Sequence, residues 1–278
     1  MINAITSWLK RSRLFFTNSR ALEQQRYWEQ TMATGRYADA KRLLRYGAKA
    51  YSQNDEDGIL AEIFRRIGTT DKTFVEIGAG DGMENNTVAL LLQGWRGLWV
   101  ESDGTKSARA KTNLAAFVGS DQLRIEDVLV TRDNIDPLLQ KTAPGTHPDL
   151  LSIDVDGNDY HLWQAVHSIS PRVVVIEYNA SWFPPMSLAA AYQERFEWKH
   201  NTYFGASLKA LERLAERKGY HLVGCCFAGV NAFFVRADLC ETHFSEPYSA
   251  ENHYEPPRYW MLRTAGHPPG VGPVETVE

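Results

Sequence analysis

Five apolar runs of strand length follow one another between residues 73 and 177, separated by longer polar or amphipathic segments. Continuous apolar character with many β-branched residues is typical of strands buried on both faces of a parallel sheet. The runs occupy residues 73–77, 98–100, 123–130, 148–155 and 172–177. Their alternation with helical segments predicts an α/β protein whose helices cover both faces of the sheet.

Two further strands are predicted at residues 221–227 and 231–236, after a helix over residues 206–218. Only residues 228–230 separate these strands, and strands joined so closely pair as an antiparallel hairpin. The sequence therefore predicts a mostly parallel, seven-stranded sheet with an antiparallel last strand.

The segments on either side of this alternating core differ from it in composition. Residues 21–46 are rich in Arg, Glu, Gln and Ala, which predicts an N-terminal helical cap. The tail from Glu241 contains six prolines, and we expect it to be irregular, with roughly its last ten residues mobile. We therefore divide the chain into a helical extension (1–50), a core domain (51–240) and a tail (241–278).

Residues 1–20 combine apolar side chains at near-helical spacing with the basic residues Lys10, Arg11, Arg13 and Arg20. This pattern fits a helix lying on an anionic membrane surface, which predicts peripheral contact with the inner face of the membrane. The alternative is a helix that packs on the domain or on a second copy of the chain, so a homo-oligomer is also an expectation.

The 278-residue chain, 44% hydrophobic and 23% charged, has the composition of an ordinary globular protein. Its formal net charge of −4 gives no broad electrostatic reason to expect nucleic acid, so the expected partner is a small molecule or glycan. No apolar run reaches the ~18 to 20 residues of a membrane span. Three cysteines, of which Cys225 and Cys226 are adjacent, suit neither a disulfide framework nor a zinc site and predict a cytoplasmic location.

Candidate chemistry begins at the end of the first strand, where Glu76 is followed by Gly78, Gly80 and Gly82. Glycines allow backbone angles and close approaches that side chains forbid, so a ligand can lie against the main chain there. A dinucleotide site would need its third glycine at the position of Met83. The spacing E-x-G-x-G-x-G instead resembles the first motif of S-adenosylmethionine-dependent methyltransferases, and a carboxylate there suits a cofactor with an ammonium group.

A second acid, Glu101, ends the second strand 25 residues after Glu76. In open α/β sheets an acid at this position can accept hydrogen bonds from both hydroxyls of a ribose, so the pair predicts a nucleoside-type cofactor. The polar stretch 51–58 is either a charged loop or a segment whose Gln53 closes over the amino-acid end of the cofactor. The predicted cofactor-binding residues are Gln53, Glu76, Gly78, Gly80, Asn86, Glu101, Ser102, Asp127 and Asp154.

Asp154, Asp156 and Asp159 lie on or just past the end of the fourth strand, the edge where open sheets place their ligands. Closely spaced acids repel one another unless a cation or hydrogen-bond donors offset the charge. One interpretation is a catalytic or metal site. The other is an Asp/Asn-Gly turn that caps the following helix.

The fifth strand ends in Glu177, Tyr178 and Asn179. Mg²⁺ favours oxygen ligands, and two neighbouring strand ends can supply them. These residues and the fourth-strand acids resemble the metal site of catechol and macrocin O-methyltransferases, although those enzymes carry Asp where this chain has Glu177. The sequence leaves metal dependence open, and the predicted ligands of a Mg²⁺ ion are Asp154, Asp156, Glu177 and Asn179.

Taken together, the motifs EIGAGDG, LWVE, DLLSIDVDGNDY, VVVIEYN, YFGASL and NAFFVR resemble the FkbM-type methyltransferases over residues 52–238. Asp156 stands where the family's I-D-V-E-G motif has Glu. The resemblance implies the Rossmann-like class I methyltransferase fold and S-adenosylmethionine as cofactor. It also implies transfer of a methyl group to a hydroxyl of a sugar, glycan or secondary metabolite.

A hydroxyl must lose its proton to become a good nucleophile, which requires a base or a metal. We predict Asp154 or Asp156 as this base, with His200 as a further catalytic candidate and His161 in reserve. Each histidine also fits a surface or packing role. His200 belongs to the aromatic-rich insertion 186–203, which we expect to cover the ligand edge of the sheet as a substrate lid.

Two other functions fit parts of the pattern. A catalytically silent, cofactor-binding subunit of a glycan-assembly complex would have the same fold. A nicotinamide-dependent oxidoreductase would share the glycine turn, but Met83 and the terminal hairpin disfavour it.

Overall fold

The computed structural model describes residues 22–259 and 274–277. The strands in this part of the chain are β1 (Thr73–Ile77), β2 (Arg96–Glu101), β3 (Leu123–Asp127), β4 (Leu150–Ile153), β5 (Val173–Glu177), β6 (Leu188–Ala190), β7 (Tyr220–Cys225), β8 (Asn231–Arg236) and β9 (Val274–Thr276). The helices are α1 (22–32), α2 (Glu56–Ile67), α3 (Val88–Leu92), α4 (Gly104–Asn113), α5 (Ala115–Gly119), α6 (Ile135–Thr142), α7 (Asp159–Ala165), α8 (Leu208–Lys218) and α9 (Ala250–His253).

The main sheet has seven strands in the order β3-β2-β1-β4-β5-β8-β7. The first five strands along the chain run parallel, and β8 is antiparallel to both of its neighbours, β5 and β7. A reversed last strand inserted between β5 and β7 is the topology of the Rossmann-like class I methyltransferase fold. The predicted fold class is therefore confirmed.

Side chains of the sheet alternate between two hydrophobic cores, one on each face. In β1, Val75 and Ile77 belong to one core, whereas Phe74 packs with Trp99 in the other. All residues of β1 and β4 are buried. This explains the continuous apolar runs of the sequence, because a central parallel strand covered on both sides has no solvent-facing positions.

The segment that follows α1 differs from the continuous helix predicted over residues 21–46. It forms two short 3₁₀ turns, Gly35–Ala38 and Leu43–Tyr46. Leu43 is buried in the core on one face of the sheet, close to Gly224 of β7. The turns bring Leu43 into this core. Residues 1–21, which include the predicted membrane-binding helix, lie outside the described residues.

The tail is more regular than predicted. Strand β9 pairs with β6 in antiparallel register, and the carbonyl of Val277 accepts a hydrogen bond from Ser187 Oγ at 2.7 Å. Glu255 is fully buried and forms ion pairs with Arg36 and Arg258 at 2.6 and 2.8 Å, which tie the tail to the N-terminal segment. The division of the chain into three parts stays a prediction.

Helix α8 begins at Leu208, two residues later than predicted, and ends at Lys218 as predicted. Ser207 caps α8 by accepting a hydrogen bond from the Ala210 N–H, and Gly219 ends the helix with a φ of +81°. Cys225, Cys226 and Cys240 are free, buried thiols, and burial raises the pKa of each. Within residues 22–259 and 274–277, no helix combines the length and apolar character needed to cross a membrane.

Candidate active site

Polar side chains form a row along the carboxyl-end rim of the sheet. Phe74 and Val175 belong to the same hydrophobic core. Glu76 follows Phe74 by two residues, and Glu177 follows Val175 by two residues. Since side chains alternate along a strand, the polar residues project from that same face. The strand order β2-β1-β4-β5-β8 then makes neighbours of Glu101, Glu76, Asp154, Glu177 and Asn231.

The glycine turn after β1 has the backbone that only glycine adopts without strain. Gly78 has a φ of +85°, and its N–H donates to the Val100 carbonyl at 2.9 Å. A Cβ atom on Gly78 would overlap the carbonyl oxygen of Asp154 after β4. The turn therefore packs directly on the main chain that carries the second acidic cluster, and this close contact requires a glycine.

Glu101 fixes this turn from the neighbouring strand. Its carboxylate accepts hydrogen bonds from the Gly80 N–H and the Asp103 N–H, both at 2.7 Å. Ser102 is exposed, and its hydroxyl lies 3.5 Å from the same carboxylate. Asp127 stands opposite Glu101 in register on β3, where it forms an exposed ion pair with Lys111 at 2.7 Å. Of these three predicted cofactor residues, Glu101 contacts the turn directly, and within the described residues none of the three lines the adjoining cleft.

Glu76 is buried and held by hydrogen bonds from two directions. It accepts from the Asn86 N–H at 3.1 Å and from the Thr87 hydroxyl at 2.5 Å, and Trp99 Nε1 donates to that hydroxyl at 2.8 Å. Asn86 also donates through Nδ2 to Ser152 Oγ. Burial raises the pKa of Glu76 to about 7, despite the lowering effect of these donors.

We expect Glu76→Gln to remove part of a pH dependence of stability. Because the pKa rises from 4.5 to about 7 on folding, the folded state binds more protons than the unfolded state in this window, so stability falls as pH rises through it. At pH 8 the variant should gain up to about 3 kcal/mol in free energy of unfolding, at ~1.4 kcal/mol for each pH unit. Urea unfolding at pH 5 and pH 8 measures this gain.

Glu216→Gln, at an exposed position of α8, is the control and should keep the wild-type slope. If Glu76→Gln and wild type lose the same stability between pH 5 and pH 8, Glu76 is already ionised in the folded protein.

A cleft of about 570 Å³ opens beside the glycine turn. Six of the nine predicted cofactor-binding residues line it: Gln53, Glu76, Gly78, Gly80, Asn86 and Asp154. Among the lining residues that the sequence did not single out are Lys106, Arg109 and Asn231. Lys106 and Arg109 belong to α4 and bring positive charge to a cleft otherwise rich in acids. The signal for Asn231 was weak, because it is one polar residue at the start of an apolar strand.

A carboxylate cluster lies next to this cleft, and it is not the predicted one. Oxygen atoms of Asp154, Asp159 and Glu177 lie within 4.8 Å of one another. Burial raises the pKa of all three carboxyls, to about 7 for Asp159 and well above the usual range for Asp154 and Glu177. Repulsion between the carboxylates raises the pKa values further, so the group resists carrying three negative charges.

Asp159 and Asp156 have different parts in the turn after β4. Asp159 accepts hydrogen bonds from the Val155 and Gly157 N–H groups at 2.9 Å and so stabilises the turn. Asp156 is exposed, has a φ of +58°, and lines the cleft. The hydrogen bonds of Asp159 support the turn interpretation, and the catalytic role of Asp156 stays a prediction.

Asn179 is the first correction to the predicted site. Its Nδ2 donates to the carbonyls of Thr202 and Phe204 at 2.8 and 3.0 Å, and its Oδ1 accepts from the Ser181 N–H. The side chain is fully buried. Asn179 lies beyond the end of β5, where the chain has left the strand, and both ends of its amide are engaged by these loop groups.

His200 and His161 are not brought into the cleft. His200 is exposed, with its ring 4.6 Å from that of Trp198, and it is absent from the residues that line the cleft within the described chain. His161 is buried, with Nε2 2.8 Å from the Ala190 carbonyl. The catalytic role predicted for His200 thus receives no support from its position, and His161 has a packing role.

The predicted lid, residues 186–203, packs against the acidic turn. Asn158 Nδ2 donates to the Gln193 carbonyl at 2.6 Å, and the ring of Phe196 fills the space that a Cβ on Gly157 would need. The lid also contains β6, which pairs with the tail. The insertion therefore contacts the turn that carries Asp154 and Asp156.

Compared by sequence, the chain matches no protein-family model and no curated protein. Compared by structure, it is similar to an O-methyltransferase from Bacillus cereus in complex with S-adenosylhomocysteine, with 17% sequence identity and a TM-score of 0.33. This match covers 39% of this chain and 50% of the other. The chain is also similar to an S-adenosylmethionine-dependent methyltransferase from Clostridium acetobutylicum, at 8% identity and a TM-score of 0.40. That match covers 67% of this chain and 92% of the other.

A third similar structure is the ribosomal protein L11 methylase from Lactobacillus delbrueckii subsp. bulgaricus, at 14% identity and a TM-score of 0.40, over 66% of this chain and 80% of that chain. Likeness at this level carries no inference about activity. The fold is assigned from the strand order and the reversed β8.

Proposed function

We propose that the protein is an S-adenosylmethionine-dependent O-methyltransferase, akin to the FkbM-type enzymes, that acts on a hydroxyl of a sugar, glycan or secondary metabolite. The observation that carries this proposal is the cleft itself. Its floor is a glycine turn with positive φ angles, with Glu76 inside the cleft and Glu101 holding the turn at the end of the next strand. This combination of backbone and acids suits a nucleoside with a cationic amino-acid tail.

The residues in and beside the cleft divide between the two ends of such a co-substrate. Glu101, at the tip of β2, is placed to accept hydrogen bonds from ribose hydroxyls, and Gly78 and Gly80 let the ligand lie against the main chain. Glu76 and Gln53 offer oxygen acceptors to an ammonium group. When bound, S-adenosylmethionine supplies a methyl group on a sulfonium that is already a good leaving group.

Asp154 is our choice for the base, with Asp156 as the alternative. The raised pKa of Asp154, caused first by burial and then by Asp156, makes this carboxylate a better proton acceptor than a solvated one. The hydroxyl oxygen of the substrate forms the new carbon–oxygen bond with the methyl group. The methyl–sulfur bond breaks at the same time, and its electron pair stays on sulfur. The hydroxyl proton passes to the carboxylate.

We expect Asp154→Asn to separate binding from chemistry. The amide keeps the size of the side chain but cannot take a proton, so transfer should fall by about 100-fold or more while the affinity for S-adenosylmethionine changes by less than about threefold. Asp156→Ala is the paired variant and should also keep cofactor binding. Calorimetry and single-turnover transfer measure the two effects. If both variants transfer at the wild-type rate, the acids only form a turn.

A second cavity supports a small ring-containing acceptor. It measures about 880 Å³ and adjoins the cleft at Gln53, which lines both. Trp28 and Phe227 provide aromatic faces, and Asn54 and Asp55 provide polar groups. Aromatic faces beside hydrogen-bonding side chains suit a sugar or another polyhydroxylated ring.

Metal assistance is a separable part of the proposal. A divalent cation would be held by Asp154, Asp159 and Glu177, which offer one carboxylate oxygen each. This set keeps two of the four predicted ligands and adds Asp159. Such an ion would lower the pKa of an acceptor hydroxyl. Calorimetric titration with Mg²⁺, with and without Glu177→Gln, tests this part alone.

The test of the function is mass spectrometry of small-molecule and glycan pools after incubation with the protein and labelled S-adenosylmethionine. We expect one or more acceptors to gain a single labelled methyl group. Binding of the co-substrate without any methylated product would instead fit the silent subunit of a glycan-assembly complex. No binding at all would end the enzyme proposal.

We also propose a cytoplasmic location, since the three thiols are free and buried. Contact of residues 1–20 with the inner membrane surface, or with a second copy of the chain, is part of this proposal. Flotation with anionic vesicles, using full-length and N-terminally truncated protein, tests the membrane contact. Neither the net charge nor the acid-rich cleft suggests nucleic acid as partner.

A further inference from the structure

Two buried oxygen atoms at the rim of the sheet lack hydrogen-bond partners among the described residues. They are Oε2 of Glu177 at the end of β5 and Oδ1 of Asn231 at the start of β8. The two residues stand directly opposite each other in the antiparallel β5–β8 pair, so their side chains project from the same face. Asn231 is only 3% exposed, and it lines the cleft together with Asp154.

The orientation of the Asn231 amide is fixed by its other end. Nδ2 donates to Oε1 of Glu56 at 2.9 Å, and Glu56 accepts two more hydrogen bonds, from the main chain and side chain of Asn54 at 2.7 and 2.9 Å. The same Oε1 atom also accepts from Asn54 Nδ2, so the NH₂ group of Asn231, which can only donate, faces Glu56. Oδ1 is thereby left as the free end of the amide.

The unsatisfied groups at this place share one chemical character. Asn231 Oδ1 and Glu177 Oε2 are both oxygen atoms that can accept a hydrogen bond, and the carboxylate of Asp154 lies beside Glu177. A buried acceptor without a partner is unfavourable, so such groups in native proteins usually await a donor. The ligand that complements them carries donor hydrogens, as a hydroxyl or an amine does. Phosphate and carboxylate groups, which bring further acceptors, do not fit.

We propose that Asn231 Oδ1 and Glu177 Oε2 bind the nucleophile-bearing group of the methyl acceptor, a hydroxyl or an amine, and hold it beside Asp154. This inference rests on the proposed function and adds the two residues that position the reacting group. It also gives the β5–β8 register a functional role, because this register places Glu177 opposite Asn231 and so brings the two oxygen atoms without hydrogen-bond partners together.

The subsite can be tested before the natural acceptor is known. In sinefungin a CH group replaces the sulfur of S-adenosylmethionine, and a primary amine on that carbon replaces the methyl group. S-adenosylhomocysteine keeps the sulfur and has no group in place of the methyl. Wild-type protein should therefore bind sinefungin at least about tenfold more tightly, because the amine donates to Asn231 and Glu177. Isothermal titration calorimetry in EDTA measures both dissociation constants.

Asn231→Ala and the isosteric Glu177→Gln should each reduce this preference to within about threefold, while the affinity for S-adenosylhomocysteine stays within about twofold of wild type. The unchanged S-adenosylhomocysteine affinity shows that the variants are folded. Gln164→Ala removes an exposed amide on α7 and is the control, which should keep the full preference.

The possible outcomes distinguish the two levels of the proposal. If wild type binds both ligands with equal affinity, or if Asn231→Ala and Glu177→Gln keep the preference, the subsite is wrong while the cofactor site stands. A preference that appears only when Mg²⁺ replaces EDTA also overturns direct binding by the two side chains. If wild type binds neither ligand, the proposed function itself fails.

Discussion

Replacing Gly78 by alanine is expected to abolish binding of S-adenosylmethionine and to lower the free energy of unfolding by roughly 3 kcal/mol. The new Cβ would be forced into a backbone with a φ of +85° and would overlap the Asp154 carbonyl oxygen. That oxygen belongs to the main chain, so it cannot move aside as a side chain would. The turn and the acidic segment after β4 must separate, and the cleft between them loses its shape.

Gly94→Ala provides a matched control. Gly94 has a φ of +81°, close to that of Gly78, but a Cβ there would meet no atom within 4 Å. It should therefore show only the conformational cost of about 1 kcal/mol and retain cofactor binding. Chemical denaturation and calorimetry on the three proteins separate backbone strain from the contact. If the two variants lose the same free energy of unfolding and the same affinity for S-adenosylmethionine, the contact of Gly78 with the Asp154 carbonyl has no importance.

Glu101→Ala is expected to raise the dissociation constant of S-adenosylmethionine by roughly 100-fold, since two charge-assisted hydrogen bonds within the protein and those to the ribose are lost together. Without the carboxylate, the N–H groups of Gly80 and Asp103 lose their acceptor. The glycine turn is then no longer held in the shape that receives the ligand. Calorimetry on the purified variant measures the loss.

Two further variants sharpen this test. Glu101→Gln keeps one acceptor oxygen and should lose less affinity than the alanine variant. Glu126→Ala removes a more exposed acid of β3 that pairs with Arg124, and it should bind S-adenosylmethionine like wild type. If Glu101→Ala binds as tightly as Glu126→Ala, the assignment of Glu101 to the cofactor site is wrong.

The glycine turn and the acids at the strand ends are local features, which is why the sequence revealed them. A buried parallel strand reads as an apolar run, and its end is marked by the first acid or glycine after it. Glu76, Gly78 and Glu101 follow this rule, and the structure places all three at the same rim. The parallel core and the terminal hairpin were predictable for the same reason.

The members of the carboxylate cluster were harder to predict. Asp156 and Asp159 both follow β4 closely, and the sequence does not show which of their side chains points toward Glu177. The positive φ of Asp156 and the hydrogen bonds of Asp159 decide this. Asn179 is likewise a polar residue after a strand, yet its partners are carbonyls of residues 202 and 204 in a distant loop.

The sequence by itself determined the strands, their apolar faces, the glycine turn and the acids that end β1, β2 and β5, because each depends on residues close together in the chain. Only the tertiary structure decided that Asn231 stands opposite Glu177, that the tail pairs with β6, and that His200 lies away from the cleft. These contacts join residues far apart in sequence. They are selected by packing across the whole fold, for which no short pattern of residues carries the information.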